Sequence, residues 1–167
     1  MGWTVEGTKR YLSEFGLKPV LSRISTEHGR VYLSEQLQVD PNNILNSNSY
    51  SYYIYSEDNK VKALLITTSI EDKKYLKQAE AKFTRLVKSL VKQTTVGGAS
   101  ADLMLVNNYA ESVGEHTFQI ERDSLNHHGF LRCVVSLSED KAMAKQWVDK
   151  IDYHPELCTG SELRMSA

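Results

Sequence analysis

Residues 50–93 read YSYYIYSEDNKVKALLITTSIEDKKYLKQAEAKFTRLVKSLVKQ, and the fold turns on them. Tyr50 to Ser56 and Val61 to Thr68 are rich in β-branched and aromatic residues, and Glu57-Asp58-Asn59-Lys60 between them has hairpin-turn chemistry. With Asp58 and Asn59 as a two-residue loop, Ile54 should face Ala63 and Tyr52 face Leu65 on one side. On the other, Tyr53 should meet Leu64 and Tyr55 meet Lys62. Both faces are apolar, so this hairpin belongs in the interior, or its second face is covered by another element. From Ile70 to Gln93 the period changes. Leu76, Ala79, Phe83, Leu86, Val87 and Leu90 recur at three- and four-residue spacing, the apolar stripe of a long amphipathic helix.

Upstream, Thr4 to Phe15 carries Val5, Thr8, Leu12 and Phe15 at helical spacing, with Gly16 as a stop and Pro19 beyond it. Pro19 to Ile24 and Arg30 to Leu33 read as a strand pair around Thr26-Glu27-His28-Gly29. Asp40 to Ser49, dense in Asn and Ser, reads as a surface loop. Downstream, Ala99 to Val113 reads as a weaker helix capped by Ser100 and closed by Gly114, with a strand at Leu103 to Val106 as the alternative. His116 to Glu121 and Phe130 to Leu137 form a second hairpin around Asp123 to Gly129. Ser138-Glu139-Asp140 then opens a last helix through Ile151, with acids at its positive end.

The order helix, antiparallel strands, long helix, strands, helix has no parallel βαβ rhythm. It predicts an α+β fold, an antiparallel sheet of two hairpins with helices packed on it as a single layer pair. All 167 residues fit one domain, with a loosely held tail from Tyr153 to Ala167. The element order is similar to that of small α+β secretion chaperones, a likeness of topology that carries no functional residue.

Composition is ordinary for a globular chain, 41% hydrophobic and 25% charged. Twenty Lys and Arg balance 21 Asp and Glu, so the net charge of −1 speaks against a nucleic-acid partner. No apolar run is long enough to cross a bilayer, and Met1 to Glu6 has no secretory character, so no membrane association is expected. Two cysteines, Cys133 and Cys158, outside any CxxC pair, suit reduced thiols in a cytoplasm, bacterial or, for a viral chain, that of the host.

The search for chemistry finds no metal-ligand spacing: His127 and His128 are adjacent, and Pro155 interrupts any helix through His154 and Cys158. No metal and no cofactor is expected. Cys133 lies inside a strand, where thiols are inert packing. Gly97-Gly98-Ala99-Ser100 before a helix is a weak anion-binding signal without a Walker lysine. His116, His127, His128 and Arg132 on the second hairpin are the weak candidates for a catalytic set acting on a phosphate ester or nucleotide.

Two binding features stand out. Between Ile70 and Gln93 seven bases face three acids, Glu71, Asp72 and Glu80, a surplus of four that leaves −5 on the rest of the chain. At 100° per residue Lys74, Lys77, Arg85, Lys88 and Lys92 share one face opposite the apolar stripe, a docking ridge for phosphates or an acidic protein. No aromatic residue interleaves with them, which argues against single-strand stacking. Tyr50, Tyr52, Tyr53 and Tyr55 form the second feature, with Tyr53 and Tyr55 the candidates for a protein-binding or self-association surface. The sequence therefore favours a non-enzymatic interaction protein (an adaptor, inhibitor or small chaperone) with a protein partner, acidic where the ridge is used. A small phosphate-ester or nucleotide-binding enzyme is the alternative.

Overall fold

A computed structural model describes residues 3–25, 29–94, 109–123 and 129–153. Its centre is the tyrosine hairpin, strands β4 (Ser49–Glu57) and β5 (Lys60–Ile70). Asp58 and Asn59 make the two-residue turn with φ of 51° and 62°, the left-handed pair that a tight hairpin needs and that Asp and Asn tolerate. Glu57 pairs with Lys60 and Ser56 with Val61, but the next pair is Tyr55 with Ala63. Lys62 is therefore an extra residue, a β-bulge, and every pair beyond it is one position away from the simple count. Ile54 faces Leu64, Tyr52 faces Ile66 and Tyr53 faces Leu65. The bulge lets Val61, Leu64 and Ile66 share one face of the sheet while Ala63 and Leu65 take the other.

Around this hairpin lies an eight-stranded antiparallel sheet. The remaining strands are β1 (Pro19–Ser25), β2 (Arg30–Ser34), β3 (Leu37–Gln38), β6 (Tyr109–Val113), β7 (His116–Asp123) and β8 (Gly129–Leu137). Their order is β1-β2-β4-β5-β8-β7-β6, with β3 continuing the line of β2 along β4. Two meanders thus meet at the β5–β8 seam, and β1 and β6 form the edges. Where β2 begins, a Cβ on Gly29 would stand 2.3 Å from the Ser56 carbonyl oxygen, so only glycine admits so close a backbone approach.

Three helices cover the sheet. α1 (Val5–Ser13) starts at Thr4, whose hydroxyl accepts the Gly7 N–H at 3.0 Å, and it buries Val5, Thr8 and Leu12. α2 (Leu76–Thr94) buries Ala79, Phe83, Leu86, Val87, Leu90 and Val91. Both pack on the face carrying Tyr52, Ile54, Leu64, Ile66, Phe118, Ile120, Leu131, Cys133 and Val135. α3 (Lys141–Tyr153), entered through a 3-10 turn at Ser138–Asp140, lies on the other face. There Ala144, Trp147 and Val148 cover Val31, Leu33, Tyr55, Ala63, Leu65 and Val134. The expected α+β architecture with an antiparallel sheet and packed helices is observed. α3 adds a third layer beyond the single layer pair, because the central strands are apolar on both sides and each side needs a cover.

Three local readings change. Residues 109–113 are strand β6 rather than the end of a helix. Gly114, at φ 61°, and Glu115 form a tight turn that sets Val113 opposite His116. The long helix starts at Leu76, not Ile70. Ile70 ends β5, and a 3-10 turn at Lys73–Tyr75 follows, capped by the Asp72 carboxylate on the Lys74 N–H at 3.0 Å. The Asn/Ser loop is not wholly surface, since Asn46 and Asn48 are fully buried. The turn at 26–28, the glycine stretch 97–100, the alternative strand 103–106, and His127, His128, His154, Cys158 and the tail from 154 lie outside the described residues. Among the described residues no helix is long and apolar enough to cross a membrane.

Candidate functional site

α2 sets the site because its buried stripe fixes which side chains turn outward. With Phe83, Leu86 and Leu90 against the sheet, Lys77, Ala81, Arg85, Lys88 and Lys92 are exposed. Glu80, the single acid of α2, is bound by Arg122 of β7 at 2.6 Å and so is unavailable to offset its own helix. No carboxylate among the described residues lies within ion-pairing reach of Lys77, Arg85 or Lys88. Of the five ridge residues, Lys74 is set apart. It sits in the 3-10 turn, not on α2, and its ammonium lies 5.6 Å from the centre of the Tyr75 ring. The helical angle that placed it with the others does not hold there.

Arg85, Lys88 and Lys92 line a groove of about 570 Å³ between α2 and the end of α1, together with Phe15, Thr84 and Ser89. Phe15 and Arg85 continue into a second hollow of about 230 Å³ walled by Glu14, Tyr50, Lys82 and Leu86. The two helices are held in place by a hydrogen bond between the Tyr11 and Ser89 hydroxyls. Tyr11 meets Phe15 edge-on at 5.5 Å. Tyr50 donates its hydroxyl to the Phe15 carbonyl at 3.2 Å. The groove and hollow thus combine the aromatic rings of Phe15 and Tyr50, hydroxyls and a cationic wall, with Glu14 as the one acid among the described residues that line them.

The loop before β4 adjoins the same flank of α2. Lys82 donates to the Val39 carbonyl. Gln78 accepts from the Asn46 amide at 3.1 Å and donates to Asp40 at 3.2 Å. The Asn48 side chain accepts the N–H groups of Glu71 and Asp72 at 2.9 and 2.8 Å and donates to the Asp72 carbonyl at 2.9 Å. Held this way, the loop displays Ile44 and Leu45 at 87% and 72% exposure, the exposed large apolar side chains among the described residues. None of Phe15, Lys82, Ser89 or the Ile44–Leu45 pair stands among the site residues that the sequence suggests. The signal that could have found the last was two adjacent aliphatics inside a run of Asn and Ser.

The tyrosine cluster is mostly interior. Tyr52 is fully buried, and burial, with Glu6 adding to it, pushes its hydroxyl up to about 12. Tyr55, 7% exposed, lies beneath α3 with its ring 5.7 Å from that of Trp147, so it is a core residue rather than a surface contact. Burial and the Glu57 carboxylate that accepts its hydroxyl raise it to about 12 as well. Tyr53 is half-buried.

The described members of the second-hairpin set do not converge. His116 lies on the α1/α2 face, stacked on Trp3 at 5.9 Å, and burial holds its imidazole below the ordinary value against the opposing pull of Glu115. Arg132 lies on the α3 face, where its guanidinium rests 4.0 Å from the Phe130 ring centre. Cys133 shares the His116 face but is fully buried, and its thiol is pushed far up by burial. Since His116 pairs with Leu137, the thiol is four residues away along the strand, about 13 Å. Among the described residues no group of His, Cys, Asp and Glu is arranged to hold a metal ion. Compared with family models, curated proteins and solved structures, the chain matches none.

Proposed function

We propose that this chain is a non-enzymatic interaction protein that docks an acidic protein partner on the basic flank of α2. The observation that carries the reading is the cationic wall of Arg85, Lys88 and Lys92 along a groove that Phe15 also lines. Like charges three and four residues apart on a helix repel by a few tenths of a kcal/mol per pair. Glu80, the single acid of α2, stands five residues before Arg85 and is engaged with Arg122, so α2 itself offers Arg85 and Lys88 no acid at that spacing. An acidic partner supplies counter-charge to the exposed Arg85 and Lys88 and gains rate as well as affinity from the local field. A protein suits the site better than nucleic acid. No aromatic residue of α2 interleaves with its cations, and Phe15 is a single ring beside them, too little to stack successive bases. The same reading places the chain in a cytoplasm, where an unpaired buried thiol such as Cys133 persists.

Lys77→Glu, Arg85→Glu and Lys88→Glu combined should leave the circular dichroism and unfolding midpoint close to those of the parent, since all three side chains are exposed. Proteins recovered from native lysate at 50 mM salt should be lost both in the reversed variant and, for the parent, at 300 mM salt. Recovery indifferent to salt and to the reversal would refute the basic flank as the docking surface.

A further inference from the structure

We infer that Ile44 and Leu45 are the apolar anchor of this docking face, and that its partner is a protein segment with aliphatic or aromatic side chains at one end of an acidic stretch. The inference rests on the reading of α2 as a docking surface for an acidic partner and adds what that partner must carry. Isolated exposed aliphatics are common on folded proteins. These two are adjacent, they stand alone in their exposure among the described large apolar residues, and their loop is fastened by side chains. Asn46 and Asn48, both fully buried, tie it to α2 and to the β5 exit. Asp40 and Asn43 each fold the backbone onto themselves, accepting the N–H groups of Asn42 and Leu45 at 3.2 and 3.1 Å. A loop fixed in this way loses little freedom when a partner covers its tip.

The loop that carries the tip is anchored on the helix flank that also lines the groove. Gln78, Lys82, Arg85, Ser89 and Lys92 recur at alternating four- and three-residue steps and so line one flank of α2. Gln78 and Lys82 hold the loop, while Arg85, Ser89 and Lys92 wall the groove. Arg85 lies seven residues past Gln78, about 10 Å, and Lys92 fourteen, about 21 Å. Counted from the loop's anchor at Gln78, a partner reaching the cations needs roughly three to six extended residues between its apolar and acidic ends. A second copy of this chain is a poor occupant. A two-fold contact on this flank would set Lys82, Arg85 and Lys88 of one copy against those of the other, and like charges face to face disfavour it.

A phage-displayed library of random 16-residue peptides, selected on the immobilised full chain, reads the ligand class directly. Enriched peptides should pair an Asp/Glu cluster with Leu, Ile, Phe or Met a few residues away. The strongest, made synthetically, should bind Ile44→Ser/Leu45→Ser at least about tenfold more weakly than the parent, with an unchanged salt slope. Both residues are exposed, so the variant should unfold like the parent. The Lys77/Arg85/Lys88 reversal should instead weaken binding and flatten the salt slope. Equal affinity for parent and tip variant, with the reversal still harmful, would sink the anchor and leave the basic groove standing. Peptides without acids, indifferent to the reversal, or no enrichment at all, would remove both. A concentration-dependent dimer in sedimentation that the tip substitutions abolish would name a second copy as occupant and overturn the inference.

Discussion

Asn48→Ala tests whether the loop is fastened as described. The side chain is fully buried and makes three hydrogen bonds, accepting from the amides of Glu71 and Asp72 and donating to the Asp72 carbonyl. At roughly 1 kcal/mol net for each, truncation should cost about 3 kcal/mol. Water reaching the partly exposed Asp72 lowers that figure, and the two stranded amide donors raise it, so a loss between about 2 and 4 kcal/mol is expected. Asn48→Asp keeps an acceptor for both amides but turns an oxygen toward the Asp72 carbonyl, and should fall between parent and alanine. Urea unfolding followed by circular dichroism, with an unchanged m-value, gives the loss directly. Hydrogen exchange gives an independent check, because the Glu71 and Asp72 amides should be protected in the parent and exchange rapidly in Asn48→Ala. A loss below about 1 kcal/mol with those amides still protected would refute the reasoning, for other groups would then be satisfying the junction.

Phe83→Ala should cost about 3–5 kcal/mol, since the ring is 2% exposed and lies between α2 and the sheet. A loss under about 1 kcal/mol in the same urea assay would show that α2 does not seal this core. His116 makes stability depend on acidity. Its folded pKa lies below the ordinary 6.5, so the unfolded chain binds the proton first. Its contribution is complete above 6.5 and is lost as pH falls through the folded value. The slope of unfolding free energy against pH below 6.5 should shrink in His116→Gln, and an unaltered slope would assign the effect elsewhere.

How much was legible depended on whether one period dominated a segment. The stripe Leu76, Ala79, Phe83, Leu86, Val87, Leu90 has no competing pattern, and all but the half-buried Leu76 are buried. Asp58-Asn59 identified its turn because few residues accept two successive positive φ angles. The bulge at Lys62 was hidden because Val61 to Ile66 is apolar on both sides, so a one-residue slip leaves no polar residue visibly misplaced. Tyr109–Val113 was misread because Ala110 and Val113 extend a helical spacing from Leu103 and Val106, and five residues are too few for period alone to decide. Asn46 and Asn48 looked like surface because composition cannot show that an amide side chain will replace backbone partners. At the site, α2 could reveal its own cations, whereas Phe15, Tyr50 and the Ile44–Leu45 tip come from distant segments that only tertiary packing brings to its flank.

The same contrast bears on the described members of the second-hairpin set. Along a strand, neighbouring side chains alternate between faces, so a candidate set on a hairpin survives only if parity and pairing agree. His116 and Arg132 fail that condition: one belongs with Phe118, Ile120 and Trp3 beneath α1, the other with Val134 beneath α3, and the sheet lies between them. Bringing an imidazole and a guanidinium onto one substrate from those positions would require a one-residue slip of β7 or β8. Such a slip would turn Phe118 and Ile120, or Cys133 and Val135, out of the core, at roughly 1.5–3 kcal/mol for each large apolar side chain. On α2 the geometry works the other way. Arg85, Lys88 and Lys92 follow one another around one helix, so the packing that buries Phe83 and Leu90 also directs those cations into the groove. Core packing and the outward direction of these cations are therefore set by the same helix registration, and a change that rotated α2 on the sheet would move both together.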